Sequence, residues 1–339
     1  MNQSLRILLA TDAWRPQVNG VVRSWETSIG VLKERGHIVR VVEPGLFRSF
    51  AIPFYKEIRL ALPARRRITS LIREFNPDVV HIATEGPIGL AVRAFCVRHR
   101  WRFSTSYHTQ FPEYVQEMLK IPAKWSYQFM RWFHGGSSSV MVSTPTLEAI
   151  LKARGFPNLC RWSRGVDLTL FYPREKTSSQ YTRPILLYAG RVSKEKNIEA
   201  FLAVKHAGTK IVVGDGPLRE RLQKEYPEVV FLGYRRGEAL AEAYANADVF
   251  VFPSRTDTFG LVMIEAMACG VPVAGYPVIG PIDVVTTHGV GCLHDDLEKA
   301  VETSLREGDP AACVAHARKF TWERCTDQLE TNFVRVSNT

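Results

Sequence analysis

The sequence predicts an α/β protein of two doubly wound, Rossmann-like parallel-sheet domains, and three observations carry that expectation. Short apolar, β-branched runs alternate with longer amphipathic segments along all 339 residues. The runs read as apolar on both faces, as strands covered by crossover helices require. The scheme occurs twice, with a polar stretch between the two occurrences.

In the first half the expected strands are 5–11, 38–43, 79–83, 103–107 and 140–143, with helical patterns at 25–34, 65–75 and 86–98. In the second half they are 185–189, 210–214, 229–233, 249–253 and 271–275. Phe171-Tyr172-Pro173 and the polar run to Pro184 read as a linker. The expected division is a first domain at 1–170, the linker at 171–184 and a second domain at 185–320. A final helical segment, Trp322–Val336 within 321–339, is expected to cross back to the first domain. Two such domains would place a cleft between the carboxyl ends of their strands, where open α/β sheets bind ligands.

Composition excludes several classes. No apolar run is long enough to span a bilayer, and Leu5–Ala10 is short for a signal-peptide core and followed by Asp12, so a cytoplasmic protein is expected. The six cysteines form no Cys-x-x-Cys pair and no metal-ligand spacing, so no metal or redox role is expected. Residues 1–170 carry 24 Lys and Arg against 12 Asp and Glu, whereas the other 169 carry 20 against 22. The bias points to an anionic partner of the first half, with a solvated basic face as the plain alternative.

The most informative stretch runs from Pro253 to Pro272. It leaves the expected strand at 249–253, and Gly260 opens a helix whose unpaired N–H groups suit a phosphate. Asp257 lies in the loop and Glu265 lies eight positions on, within the apolar run Leu261–Met267. An unpartnered carboxylate there would be costly, which favours a functional reading over a surface Glu. Further motifs are Gly190-Arg191 with Glu195-Lys196-Asn197, Val213-Gly214-Asp215-Gly216-Pro217, Asn19-Gly20, and Tyr107-His108-Thr109.

With these stretches colinear and spread over nearly the whole chain, the sequence resembles the retaining GT-B glycosyltransferases that carry a Glu-x7-Glu signature, of the family 4 type. The resemblance implies that Arg191 and Lys196 bind the donor diphosphate, Glu265 the ribose hydroxyls and Asp257 the donor sugar hydroxyls. It implies that Gly20 approaches the phosphates and that His108 faces the sugar or acceptor. Gly216, Phe259, Gly260 and Leu261 complete the donor set, and the base is expected near Tyr234–Arg236. Asp257 is a departure, since the family has Glu at that position. The resemblance implies retention, and no carboxylate is legible as a covalent nucleophile, so front-face displacement without a metal or cofactor is expected, with the nucleotide sugar as co-substrate.

Within that family the chain resembles diacylglycerol glycosyltransferases, namely sulfolipid synthases and glucosyl- or glucuronosyl-diacylglycerol synthases, through Tyr107-His108-Thr109, Arg164–Asp167 and Asp248–Ser254. GDP-mannose-dependent mannosyltransferases of glycolipids share many of these stretches. The expected acceptor is a membrane lipid, with a polysaccharide or soluble acceptor as the alternative. Trp125, Phe129, Trp132 and Phe133 at helical spacing beside Lys120, Lys124 and Arg131 suit docking on the anionic inner face of a membrane, although such a stripe also fits a core. No nucleic-acid partner is expected, for want of a recognition motif, and an oxidoreductase lacks its third glycine, because position 219 is Arg.

Overall fold

The computed structural model describes residues 4–17, 19–52, 55–108, 122–177 and 180–337. The chain forms two compact units, residues 1–163 with 322–339 and residues 164–321.

In the first unit six strands form one parallel sheet: β1 (Arg6–Ala10), β2 (Ile38–Val42), β5 (Val79–Ile82), β6 (Ser104–Tyr107), β7 (Ser139–Val142) and β8 (Leu159–Arg161). Their order is β2-β1-β5-β6-β7-β8. The sheet therefore grows outward from β1 in one direction, then from β5 in the other. The helices are α1 (Gly20–Glu34), α2 (Arg65–Phe75), α3 (Pro87–His99), α4 (Ala123–Gly135), α5 (Pro145–Ala153) and, from the end of the chain, Trp322–Asn332. A short antiparallel pair, β3 (Ser49–Ile52) and β4 (Tyr55–Ala61), stands apart from the sheet.

Alternation along the strands sorts the helices into two layers. Leu8, Ala10, Val80 and Ile82 pack with Ile68 and Ile72 of α2, Val92 and Phe95 of α3 and Phe133 of α4. His81, between Val80 and Ile82, faces the other way, with its ring 4.7 Å from that of Trp25 in α1 and 6.0 Å from that of Phe333. The final helix lies against α1, where Arg35 bonds Asp327 at 2.8 Å and Glu330 at 2.7 Å.

The second unit repeats the plan with β9 (Ile185–Ala189), β10 (Thr209–Val213), β11 (Val230–Gly233), β12 (Val249–Phe252), β13 (Val273–Gly275) and β14 (Gly291–Leu293). The order is β11-β10-β9-β12-β13-β14, every pairing parallel. Its helices are α6 (Ile198–Ala203), α7 (Arg219–Glu225), α8 (Glu238–Asn246), α9 (Leu261–Ala268), α10 (Pro281–Val284), α11 (Leu297–Glu307) and α12 (Pro310–Ala317), so that Trp322–Asn332 is α13. Strands β9, β12 and β13 are buried along their whole length, and two buried clusters flank the sheet.

The structure differs from the sequence expectation at the join. Residues 171–184 are packed into the second unit: Phe171 is buried in its core, and Lys176 and Arg183 each bond Asp248 Oδ1 at 2.6 Å. The division falls at Ser163, because Val166 already pairs with Thr321 and accepts no place in the first sheet. Four strands were not expected. Strands β8 and β14 have three residues each, and β3 and β4 carry no clear period.

Candidate active site

Each sheet has a switch point, between β1 and β5 in the first unit and between β9 and β12 in the second. Loops leaving such adjacent strands diverge to opposite sides, which leaves a crevice at their carboxyl ends. Arg191 and Lys196 leave β9, and Asp257 and Gly260 leave β12, so the motif residues of the second unit flank its switch point.

The two loops are tied together. Lys196 Nζ lies 2.5 Å from Asp257 Oδ1, with the two side chains 30% and 24% exposed. Asn197, in a left-handed turn at φ 52°, donates from Nδ2 to Pro253 O at 3.0 Å. Thr256 donates its hydroxyl to Glu195 O at 3.3 Å. Arg191 Nε lies 3.8 Å from Glu195 Oε1, which also accepts the Ser193 hydroxyl at 2.6 Å. Beneath them the buried Tyr188 donates its hydroxyl to Arg191 O at 2.6 Å. Burial, then Asp257 and Glu195, push that phenol well above its ordinary range, so it stays a neutral donor.

The glycines close the frame. Gly260 precedes α9 at φ 84°, and a Cβ there would meet Met263 Cε at 2.7 Å and Phe252 Cζ at 2.9 Å. At Gly216 a Cβ would lie 2.4 Å from Val192 O, and Gly216 N donates to Asp215 Oδ1 at 2.8 Å. The loops after β9 and β10 thus run at backbone contact, with Val192 N donating to Asp215 O at 2.9 Å. Leu261 begins α9, and Phe259 is buried against Phe320 at 5.8 Å between rings. Tyr234 follows β11 and is 42% exposed, with the Arg236 guanidinium 5.1 Å from its ring centre.

Glu265 is 3% exposed on α9, and its Oε2 accepts the Tyr244 hydroxyl at 3.0 Å. Tyr244 sits on α8 and reads from sequence only as a core aromatic, so nothing in the sequence marks its hydroxyl. Burial and then Glu265 push the neighbouring Cys269 thiol up to about 12.

In the first unit Gly20 is the exposed first residue of α1, and Asn19 Oδ1 accepts from Val21 N and Val22 N, both at 3.0 Å. Across the switch point, Asp12 accepts from Ile88 N at 2.9 Å and Gly89 N at 3.2 Å at the start of α3. Burial raises its carboxyl, and those two backbone bonds oppose the rise.

His108 is 9% exposed, and its Nε2 lies 3.2 Å from Trp25 Nε1 and 2.8 Å from Ser106 Oγ. An indole N–H can only donate, so Nε2 is the accepting nitrogen and Nδ1 carries the proton. Ser106 Oγ also lies 3.1 Å from Nε2 of the fully buried His81. Sequence reading missed Trp25, whose partner lies 83 positions away, and Ser106, which joins His108 to His81, 25 positions away. Thr109 and Lys120 fall in 109–121, outside the described residues.

The expected aromatic stripe divides. Phe133 is fully buried, whereas Trp125 is 69% and Trp132 55% exposed. Among the described residues no group of three or more His, Cys, Asp or Glu is arranged to hold a metal ion. No helix among them is long and apolar enough to cross a membrane.

Two family models match, "Glycosyltransferase Family 4" over residues 18–170 and "Glycosyl transferases group 1" over 183–307. The chain is 32% identical over 317 residues to a GDP-mannose-dependent alpha-mannosyltransferase of Mycobacterium tuberculosis, covering 85% of this chain and 83% of that one. It is 26% identical over 319 residues to an alpha-monoglucosyldiacylglycerol synthase of Streptococcus pneumoniae, covering 80% and 71%. Sucrose-phosphate synthase of Thermosynechococcus elongatus superposes with a TM-score of 0.76 at 22% identity, covering 96% and 97%, which shows the GT-B fold. With relatedness at this level over most of its length, and the switch-point motifs in both units, the chain belongs to the glycosyltransferases of family 4 and group 1.

Proposed function

We propose that this chain is a retaining, metal-independent glycosyltransferase that moves a hexose or hexuronic acid from UDP-glucose or UDP-glucuronate to a membrane lipid of the diacylglycerol type. The observation that carries the donor half is the Lys196–Asp257 pair at the switch point beside the start of α9. When the sugar–phosphate bond breaks, the departing diphosphate gains charge. Lys196, Arg191 and the first N–H groups of α9 supply fixed positive charge and donors for it. Asp257 then accepts sugar hydroxyls and Glu265 ribose hydroxyls, with Gly216, Phe259, Gly260 and Leu261 shaping the wall and Tyr234 beside the base. Gly20 is assigned to the donor phosphates and His108, donating from Nδ1, to the sugar or acceptor.

In front-face displacement the acceptor oxygen bonds the anomeric carbon on the side that the phosphate leaves, and the phosphate takes the acceptor proton. The lipid acceptor is supported by the related monoglucosyldiacylglycerol synthase. It is supported also by the exposed Trp125 and Trp132 on α4, which fit peripheral association with the inner face of the cell membrane. A second reading, mannosyl transfer from GDP-mannose to a glycolipid, is favoured by the 32% identity to a mannosyltransferase.

Incubation with a panel of nucleotide sugars and a lipid extract in EDTA, followed by mass analysis, tests the proposal. A lipid heavier by one hexose or hexuronic acid is expected. Product from GDP-mannose alone selects the second reading, and sugar transfer only to soluble acceptors contradicts the lipid half.

A further inference from the structure

Strand β6 departs from the sheet it belongs to. It lies between β5 and β7 with all four residues buried, yet it reads Ser104-Thr105-Ser106-Tyr107. The hydroxyls of Ser104 and Ser106 meet His81 of β5, whose ring lies 4.7 Å from that of Trp25, 6.4 Å from Trp162 and 6.0 Å from Phe333. Ser104, Ser106 and His81 are fully buried. Polar groups in such a place are costly unless hydrogen-bonded, and apolar residues of the same shape would fill the core as well.

Their contacts form one chain. Ser104 Oγ lies 2.8 Å from His81 Nδ1, His81 Nε2 lies 3.1 Å from Ser106 Oγ, and Ser106 Oγ lies 2.8 Å from His108 Nε2. Trp25 Nε1 closes the chain at 3.2 Å from the same His108 nitrogen. The indole end decides every proton. Because an indole N–H only donates, His108 Nε2 is bare, and Ser106 gives it its single hydroxyl proton. Ser106 then has only lone pairs for His81, so His81 Nε2 carries a proton. Burial, aided by His134, pushes His81 down to about 3 and keeps it neutral. Its Nδ1 is therefore bare and accepts from Ser104.

Without the indole, the reverse order would satisfy the same three contacts. His108 Nε2–H would donate to Ser106, Ser106 to His81 Nε2, and His81 Nδ1–H to Ser104. Trp25 thus selects between two arrangements of one hydrogen-bond chain. The chain runs along β6 toward its carboxyl end, where open α/β sheets bind ligands. Its last member, His108, is 9% exposed, whereas Ser104, Ser106 and His81 are wholly enclosed.

We propose that Ser106 and His81 are positioning residues, and that Trp25 sets the direction of their hydrogen bonds, so that both histidines keep one tautomer and His108 meets its substrate as an Nδ1–H donor. Buried as they are, Ser106 and His81 touch no substrate and act through His108. This rests on the assignment of His108 to the sugar or acceptor given above, and adds that its proton is placed from within the core. A donor fixed before the substrate arrives needs no reorganisation during the reaction. A ring exchanging tautomers would offer a lone pair to a substrate oxygen in part of the molecules.

Nitrogen-15 spectra of the histidines in the full chain test the proposal without substrate. Wild type should show His108 protonated at Nδ1 and His81 at Nε2. In Trp25→Phe both should shift together toward the reverse assignment, although Trp25 shares no hydrogen bond with His81. In Ser106→Ala the link is cut, and His108 should keep its Nδ1 proton through Trp25 alone. His81 protonated at Nδ1 in the wild type, or a change confined to His108 in Trp25→Phe, overturns the proposal.

Kinetics reads the consequence. Ser106→Ala leaves the His108 ring one of its two anchors, and His81→Phe keeps an aromatic ring but removes the donor that aligns the Ser106 hydroxyl. Each should lower kcat, by up to about 100-fold, as a misplaced group does, with UDP or GDP binding unchanged. His81→Gln keeps an N–H for Ser106 and should recover most of the loss. Wild-type kcat in both Ser106→Ala and His81→Phe overturns the positioning role, as does an equal loss in His81→Phe and His81→Gln. Failure of the wild type to bind either nucleotide, with the histidine spectra as expected, overturns the donor reading and leaves the chain of hydrogen bonds standing.

Discussion

Lys196 Nζ and Asp257 Oδ1 stand 2.5 Å apart across the switch point of the second sheet. Both are assigned to the donor, yet here each neutralises the other. The pair keeps two charged groups poised in a crevice without a lone buried charge, and a donor can replace the contact with phosphate on one side and hydroxyls on the other.

Alanine at either position therefore separates catalysis from stability. A partly exposed ion pair contributes about 0–1 kcal/mol to folding, whereas a group that stabilises developing charge is worth roughly 10²–10³ in turnover. Lys196→Ala and Asp257→Ala should each lower kcat by about that factor and shift the melting temperature by only a few degrees. Steady-state kinetics beside a melting curve check this, and near-normal turnover in both variants removes the site assignment.

The Tyr244–Glu265 bond gives a second prediction. Tyr244→Phe leaves a buried carboxylate without that donor, at a cost of about 1–3 kcal/mol. Glu265→Gln should raise KM for the nucleotide sugar more than it lowers kcat, since ribose contacts are made alike before and during reaction. Denaturant unfolding and kinetics on both variants read these out; an unchanged KM in Glu265→Gln contradicts the ribose role.

How much of this was legible in the sequence depends on the range of the signal. Ten of the strands are visible because a strand buried on both faces tends to be apolar along its length, as in Val249–Phe252. Strands β8 and β14 are only partly buried, unlike the equally short β13, so they carry no apolar run; the pair β3–β4 lies off the main sheet. The linker reading failed because Lys176 and Arg183 look like solvated residues until Asp248 is placed beside them. Similarly, Asp257 and Glu265 announce themselves through a local motif, whereas Tyr244 and Trp25 acquire their roles from partners 21 and 83 positions away.

Acid sensitivity follows from His81, which burial, aided by His134, pushes down to about 3. The unfolded chain takes up that proton near its ordinary 6.5, so between pH 6.5 and 3 the unfolded state binds more protons. The stability contributed by neutral His81 is thus fully present above 6.5 and lost as the pH falls toward 3, at about 1.4 kcal/mol per pH unit. Unfolding free energies between pH 7 and 4 should show this slope, and His81→Gln should reduce it by one proton. An unaltered slope in the variant contradicts the assignment.

The tautomer of His108 is testable without substrate. Nitrogen-15 spectra should show Nδ1 protonated and Nε2 bare, and Trp25→Phe should remove the restraint on Nε2. A protonated Nε2 in the wild type contradicts the Trp25 bond.

The central claim is that the loops after β9 and β12 bind the diphosphate of a nucleotide sugar. Calorimetric titration of wild type and Lys196→Ala with UDP and with GDP tests it most directly. One of the two nucleotides should bind the wild type, and the variant should bind it at least about tenfold more weakly, as the loss of a charge-assisted bond requires. Binding of neither nucleotide, or equal binding by wild type and variant, contradicts the account.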